Sequence, residues 1–342
     1  MDKNIKPKIS VVMAVYNSEK YLSKAIESIL EQSFTDFEFI IINDDSTDKS
    51  EEIIKSYKDS RIKFLENESN MGHTYCLNRG ISVVVGEYIA RMDSDDVSLP
   101  ERFQKQVEFM DSHKDVSVCG TWVKTIGKDS GFVNKLLTNP EDIKAGLLFN
   151  TSLVHPSVMI RKSVLEKHNL KYEIALDRDE NSEDYALWAE LSRKELLSNI
   201  PKVLLLYRIH EKSMSSINTQ KQEIGASLIR QNQLTRLGLN PTPEDMLTHN
   251  STRLSKNESI EMFLNREENW LLNIRDANDR TKIYKKESLE KVLYERWRVV
   301  CGLNTKEGVA VWKRFKSSPL SRRNNGTDSL KIFLKAILKY SN

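Results

Sequence analysis

Asp93-Ser94-Asp95-Asp96 places three carboxylates within four positions, directly after the apolar run EYIARM. Like charges this close repel unless water or a cation neutralises them, and such oxygen ligands suit a hard divalent ion, Mg2+ or Mn2+. Solvated aspartates in an Asx-turn before a helix would have the same local composition. Two other apolar runs also close on polar residues, one in Ala14-Val15-Tyr16-Asn17 and the other in Asn43-Asp44-Asp45-Ser46. Further on, Glu183 and Asp184 follow Ser182 in SEDYALW. An acid in a first helical turn faces the positive helix end, which favours the ionised form and suits a group that accepts a proton. The same placement stabilises helix starts without any chemistry. Trp188, four residues after Asp184, shares its helix face and is either core or an aromatic platform for a ligand.

These residues need a scaffold that aligns strand ends. Apolar runs of strand length over 9–16, 37–43, 62–66 and 87–92 alternate with segments of helical period, the pattern of a parallel sheet covered by helices. Open sheets of this kind bind ligands at the carboxyl ends of their strands, where the polar clusters fall. Thr47 or Asp48 would cap a second helix and Ser182 a later one, while Pro100 would open the helix that runs to about His113. Beyond Trp122, SLVHPSVMI and IPKVLLLYRIH read as strands and SEDYALWAELSRK as a helix. From about Ser215 only helical stretches remain, which predicts a catalytic domain over 1–216 and a mainly helical extension over 217–342.

Composition narrows the class. With 342 residues, 39% of them hydrophobic, the chain can bury a sizeable core. No apolar run approaches the ~18 residues of a membrane span. Cys76, Cys119 and Cys301 are scattered and lack C-x-x-C spacing, so a disulfide framework and a zinc knuckle are not expected, and a cytoplasmic setting is. No G-x-G-x-x-G or G-x-x-x-x-G-K-[ST] follows the first strand, which removes the main support for dinucleotide and P-loop readings. The formal net charge of +3 conceals an asymmetry: residues 1–220 hold 29 Lys and Arg against 35 Asp and Glu, whereas 221–342 hold 23 against 14. The basic extension predicts a contact with an anionic interface such as the inner membrane's cytoplasmic face, or a helical cap or homodimer contact; no nucleic-acid partner is expected.

Several segments, in order, resemble the inverting nucleotide-sugar glycosyltransferases of family two, with the GT-A fold. They are VVMAVYNSEKYLSKAIESILEQSFTDFEFIIINDDSTDKS, NMGHTYCLNRGI, GEYIARMDSDDVSLPERFQKQV, HPSVMIRKSVL, SEDYALW and LLLYRIHEKSMS. The resemblance implies a Rossmann-like, mostly parallel sheet with flanking helices and a C-terminal helical extension. It also implies that Ala14, Val15, Tyr16 and Asn17 lie against a base that hydrogen-bonds Asp44, favouring a UDP-linked donor, and that Asn70, Gly72 and Asn78 line the nucleotide. Many relatives carry arginine just before that asparagine, where this chain has Leu77, with Arg79 following. Asp93, Ser94 and Asp95 correspond to ribose and sugar contacts, and Asp95 or Asp96 to a metal ligand. His210 resembles a histidine that some relatives add to the metal.

By the same resemblance Asp184, with Glu183 beside it, is the catalytic base, and His155 lies near the acceptor site, with Trp188 as a further acceptor contact. The implied activity is metal-dependent, inverting transfer of a sugar to a saccharide or a polyprenyl-diphosphate-linked acceptor in surface-polysaccharide biosynthesis. The alternative is an inactive homologue that serves as a binding or scaffold subunit. A processive synthase would carry Q-x-x-R-W, and LYERW at 293–297 has leucine in place of the glutamine.

Overall fold

The structure is a computed structural model that describes residues 6–128, 130–172, 182–211, 219–323 and 326–338. Two compact units divide the chain: Met1–Ile143 with Thr151–Ala226, and Lys144–Asn150 with Ser227–Asn342. The domain boundary expected at 216/217 lies outside the described residues.

The first unit is built on one mixed sheet. β1 (Ile9–Val15), β2 (Phe37–Asn43), β3 (Ile62–Glu66) and β4 (Tyr88–Asp93) run parallel in the order β3-β2-β1-β4. β1 and β2 are buried along their whole length because both sheet faces are covered, and they therefore read as unbroken apolar runs. Leu22, Ala25, Ile26 and Ile29 recur at helical spacing on α1 (Leu22–Leu30) and join the core beneath Val11, Met13, Phe39 and Ile41. α2 (Ser50–Ser56), α3 (His73–Val83) and α4 (Arg102–Ser112) complete the crossovers, with β5 (Val97–Ser98) just before α4.

Beyond β4 the sheet departs from the expected, mostly parallel form. It continues through β8 (Met159–Arg161), β6 (Val116–Gly127) and β9 (Leu196–Ile209) to β5, with β7 (Val133–Asn134) on β6. The β4·β8, β6·β8, β5·β9 and β6·β7 pairs are antiparallel. β5 starts four residues after β4 ends, a reach of at most ~14 Å, yet a flat path through β8, β6 and β9 would need about 19 Å. The sheet must therefore curl on itself, helped by the register shifts between β6 and β9.

Two local expectations are corrected. SLVHPSVMI is not one strand: Pro156 sits in a 3-10 turn, His155–Ser157, and only Met159–Arg161 pairs. Ser182 precedes α7 (Glu183–Leu191) without capping it by its side chain; its hydroxyl donates to the Gln222 carbonyl at 3.0 Å. Two further helices, α5 (Pro140–Gly146) and α6 (Lys162–His168), flank these segments.

The second unit is helical. α8 (Thr219–Arg236) leads into α9 (Pro243–Asn250), α10 (Ile260–Thr281), α11 (Lys286–Leu303), α12 (Val309–Ser317) and α13 (Thr327–Ile337). Phe263, Leu271, Ile274, Leu293, Trp297 and Phe315 anchor its own core. Leu293 and Trp297, the ends of LYERW, are buried there. Among the described residues no helix is long and apolar enough to cross a membrane.

Candidate active site

The parallel strands end on one edge of the first unit's sheet, and the ladder register aligns their last residues. Ala14 pairs with Asp93 and Val15 with Asn43, so three polar strand ends meet. Asn17 turns the chain with φ 48° and fastens the first end to the second: its side-chain oxygen accepts from Thr47 N at 2.8 Å, and its own N–H donates to Ser46 Oγ at 3.0 Å. Tyr16 is left half exposed beside it.

Asp44 is buried and holds the loop that precedes α3. Its Oδ1 accepts from Asn67 Nδ2 at 2.5 Å and Met71 N at 2.9 Å, and Oδ2 accepts from Gly72 N at 2.9 Å. The Cys76 thiol bonds the same carboxylate, so Asp44 is tied both to this loop and to α3. Gly72 needs its φ of +90° for this turn. Asn70 is exposed on the same loop. Asn78 faces elsewhere: its amide donates to the Tyr172 carbonyl at 2.8 Å and accepts from Tyr172 N at 3.0 Å, which pins that segment. Arg79 donates to the Glu66 carbonyl at 2.7 Å and to Asn67.

The acidic cluster converges. Ligand oxygens of Asp93, Asp95 and Asp96 lie within 4.8 Å of one another. Asp95 Oδ2 meets His210 Nε2 at 2.9 Å, and Ser94 Oγ meets Ser18 Oγ at 2.7 Å. Asp96 is 1% exposed; its Oδ1 accepts from Arg208 N at 2.7 Å, but its buried Oδ2 has no partner. Burial, then the charges of Asp93 and Asp95, raises the Asp96 carboxyl well above its ordinary range. Burial followed by Asp93 also raises the Asp95 carboxyl, with His210 opposing. Three carboxylates sharing one space, one with an unsatisfied buried oxygen, fit a hard cation by their donor chemistry.

Glu183 and Asp184 occupy the first turn of α7. The helix end was expected to favour their charged forms, but removal from water outweighs it. Burial pushes Asp184 up to about 6; burial and then the charge of Asp184 push Glu183 up to about 7. The two acidic groups are joined by residues that the motifs did not flag. Arg91 is buried on β4, ion-paired to Asp93 Oδ1 at 2.5 Å and 2.8 Å from His73 Nε2. His73 Nε2 in turn lies 3.9 Å from Glu183 Oε1. Because guanidinium has no acceptor, His73 must receive at Nε2 and stays neutral there, its pKa lowered to about 4 by burial and then by Arg91. The signal for Arg91 was a single charge inside an apolar strand, which must find a partner.

His155 bonds the Tyr172 hydroxyl at 2.7 Å and sits edge-on to Trp188, whose ring is fully buried. Trp188 therefore fits its core reading and offers no face to a sugar. His73, His155 and Glu183 form a second group whose ligand atoms lie within 4.8 Å. Arg208, two residues before His210, was also unflagged. Its guanidinium lies 4.3 Å from the Tyr21 ring centre and its Nε donates to the Asp95 carbonyl at 2.6 Å. Tyr21 also packs against His210, with ring centres 5.0 Å apart.

Comparison with known proteins matches residues 10–168 to the family model described as glycosyl transferase family 2. An uncharacterised glycosyltransferase of Methanocaldococcus jannaschii is 39% identical over 228 residues, covering 63% of this chain and 76% of its own. The O-antigen biosynthesis glycosyltransferase WbnJ of Escherichia coli is 36% identical over 220 residues, 62% of this chain and 84% of its own. Among solved structures, S. aureus TarS 1–349 in complex with UDP-GlcNAc is similar in fold, with a TM-score of 0.56 at 19% identity, covering 96% of this chain and 91% of that one. The chain belongs to glycosyl transferase family 2 and is a glycosyltransferase.

Proposed function

We propose that this enzyme moves a sugar from a UDP-linked donor, with inversion, to a saccharide or polyprenyl-diphosphate-linked acceptor during assembly of a surface polysaccharide. The observation that carries the proposal is the convergence of Asp93, Asp95 and Asp96 at the strand ends, with Asp96 Oδ2 buried and unpaired. Asp95, Asp96 and His210 would hold a divalent cation, Mn2+ or Mg2+, next to Asp93. Such an ion supplies Lewis-acid charge to the diphosphate oxygens of a leaving nucleotide. Ala14 to Asn17, Asp44 and the Asn70 to Gly72 loop would receive the nucleotide. Ser94 and Asp93 face the donor's sugar side.

Asp184 is the proposed base. It takes the proton of an acceptor hydroxyl while that oxygen bonds to the anomeric carbon from the face opposite the diphosphate. The carbon–oxygen bond to the diphosphate breaks as its electron pair departs with the nucleotide. His155 is the proposed neighbour of the acceptor. The role assignment of 1–216 as catalytic domain and of 217–342 as the part that meets membrane, acceptor or a second copy belongs to the same proposal. It rests on the basic excess of the extension and on the O-antigen role in the name of the WbnJ relative. A cytoplasmic site of action accompanies it.

Incubation with a panel of UDP-sugars, Mn2+ and a mixed acceptor library tests the reaction. Nucleotide release that chelator abolishes and Mn2+ restores is expected. In Asp184→Asn, transfer should fall by at least ~100-fold while donor binding persists. Undiminished turnover in that variant would remove Asp184 from its role.

A further inference from the structure

α13 in the helical unit has two faces of different character. Inward, Ile332 and Ala336 are buried, Asp328 accepts from the Tyr294 hydroxyl at 2.6 Å, Ser329 bonds Trp312 Nε1 at 3.1 Å, and Phe333 packs on the Trp312 ring at 4.7 Å. These contacts fix the helix on its unit without using its other side. Outward, Leu330, Leu334, Ile337 and Leu338 recur at i, i+4, i+7 and i+8, a single stripe. They are 57, 50, 52 and 75% exposed. Lys331, itself exposed, and Lys335 border the stripe. Over residues 309–338 there are seven Lys and Arg and one acid, Asp328, which is the group already held by Tyr294.

We infer that this stripe is the element by which the enzyme docks on an anionic lipid surface. The four aliphatic side chains enter the boundary between headgroups and acyl chains, and the exposed Lys331, Arg322 and Arg323 meet the phosphates. A second copy of the chain fits less well: a two-fold contact sets the same patch against itself, bringing the basic groups that border the stripe in each copy together, whereas Arg314 is already paired with Glu268. Anionic lipid supplies both an apolar layer and the opposite charge. The inference builds on the membrane contact proposed above for the basic extension and assigns it to one helix.

Co-sedimentation of the full chain tests it, using vesicles of equal parts phosphatidylethanolamine and phosphatidylglycerol against vesicles of phosphatidylcholine alone. Wild type should partition to the anionic vesicles, and more weakly as salt rises. The triple variant Leu330→Ser, Leu334→Ser, Ile337→Ser should bind at least about tenfold less. All three side chains are exposed, so its thermal unfolding and its sugar transfer to a water-soluble acceptor should match wild type. Lys331→Glu with Arg322→Glu should also weaken binding. Triple-variant binding equal to wild type would overturn the helix assignment while leaving membrane contact standing. Wild type remaining in the supernatant would overturn both, and neither result touches the transfer reaction. A concentration-dependent dimer that the triple variant abolishes, without vesicle binding, would overturn the inference in favour of a second copy.

Discussion

Arg91 stands between two sets of carboxylates that would otherwise raise one another's pKa. Its ion pair with Asp93 and its contact with His73 place one permanent positive charge where it lowers the Asp184 pKa against burial. Asp184 at about 6 is mainly ionised at neutral pH and able to accept a proton; protonation below that value disables it. The rate should therefore fall on the acid side with a limb near pH 6. Arg91→Met removes the opposing charge, so the limb should move up by about one pH unit, while Arg91→Lys should stay nearer wild type. The pH profile of kcat/KM in the three proteins checks this, and coincident limbs would deny Arg91 its electrostatic part. At this scale much was legible. Carboxylates after apolar runs marked Asp44 and Asp93 to Asp96 because the sheet forces such residues to one edge. What escaped were side chains whose partners are distant in sequence: His73 beside Glu183, Arg208 beside Asp95, and Asn78, which spends both amide atoms on the Tyr172 backbone.

β1, β2 and β4 could be read because each is buried on both faces and writes its own apolar signature; β3, at the sheet edge and only partly buried, still falls on IKFLE itself. β6, β8 and β9 could not be read as well, since their extent depends on partners rather than on local pattern. β8 keeps only three residues, and β6 follows β9 through three register irregularities. The turn into β4 combines both kinds of information. Gly86 N donates to Ser10 Oγ at 2.9 Å, and a Cβ at Gly86 would lie 2.7 Å from Ser10 N and 2.8 Å from the Ile9 carbonyl carbon. Those atoms belong to β1, the strand at the centre of the parallel set, and cannot retreat without disturbing its ladders with β2 and β4. Gly86→Ala should therefore cost about 1–3 kcal/mol, seen as a lower urea midpoint at unchanged slope. A midpoint equal to wild type would show that the strand ends yield more easily than the packing implies.

Across the whole molecule the two units have separate cores, so their responses to pH can differ. In the helical unit Glu267 on α10 is 1% exposed, and its Oε1 has no hydrogen-bond partner. Burial raises its pKa from 4.5 to about 8; Arg296 and Arg266 oppose this, with Arg266 3.8 Å away, and Glu258 adds to it. The folded unit therefore binds this proton more tightly than the unfolded chain does. Below pH 4.5 both states are protonated and the contribution is fully present; it is lost progressively as pH rises, and above about 8 the fold carries a buried charge. Glu267→Gln keeps the size and the neutral polar group but cannot ionise. Thermal unfolding of the variant should match wild type below pH 4.5, and the gap should widen in the variant's favour up to about pH 8 and then level off. Each kcal/mol of that gap corresponds to a few degrees in Tm for a unit of this size. Parallel Tm curves for the two proteins across this range would mean that Glu267 finds its compensation within the fold and remains charged there.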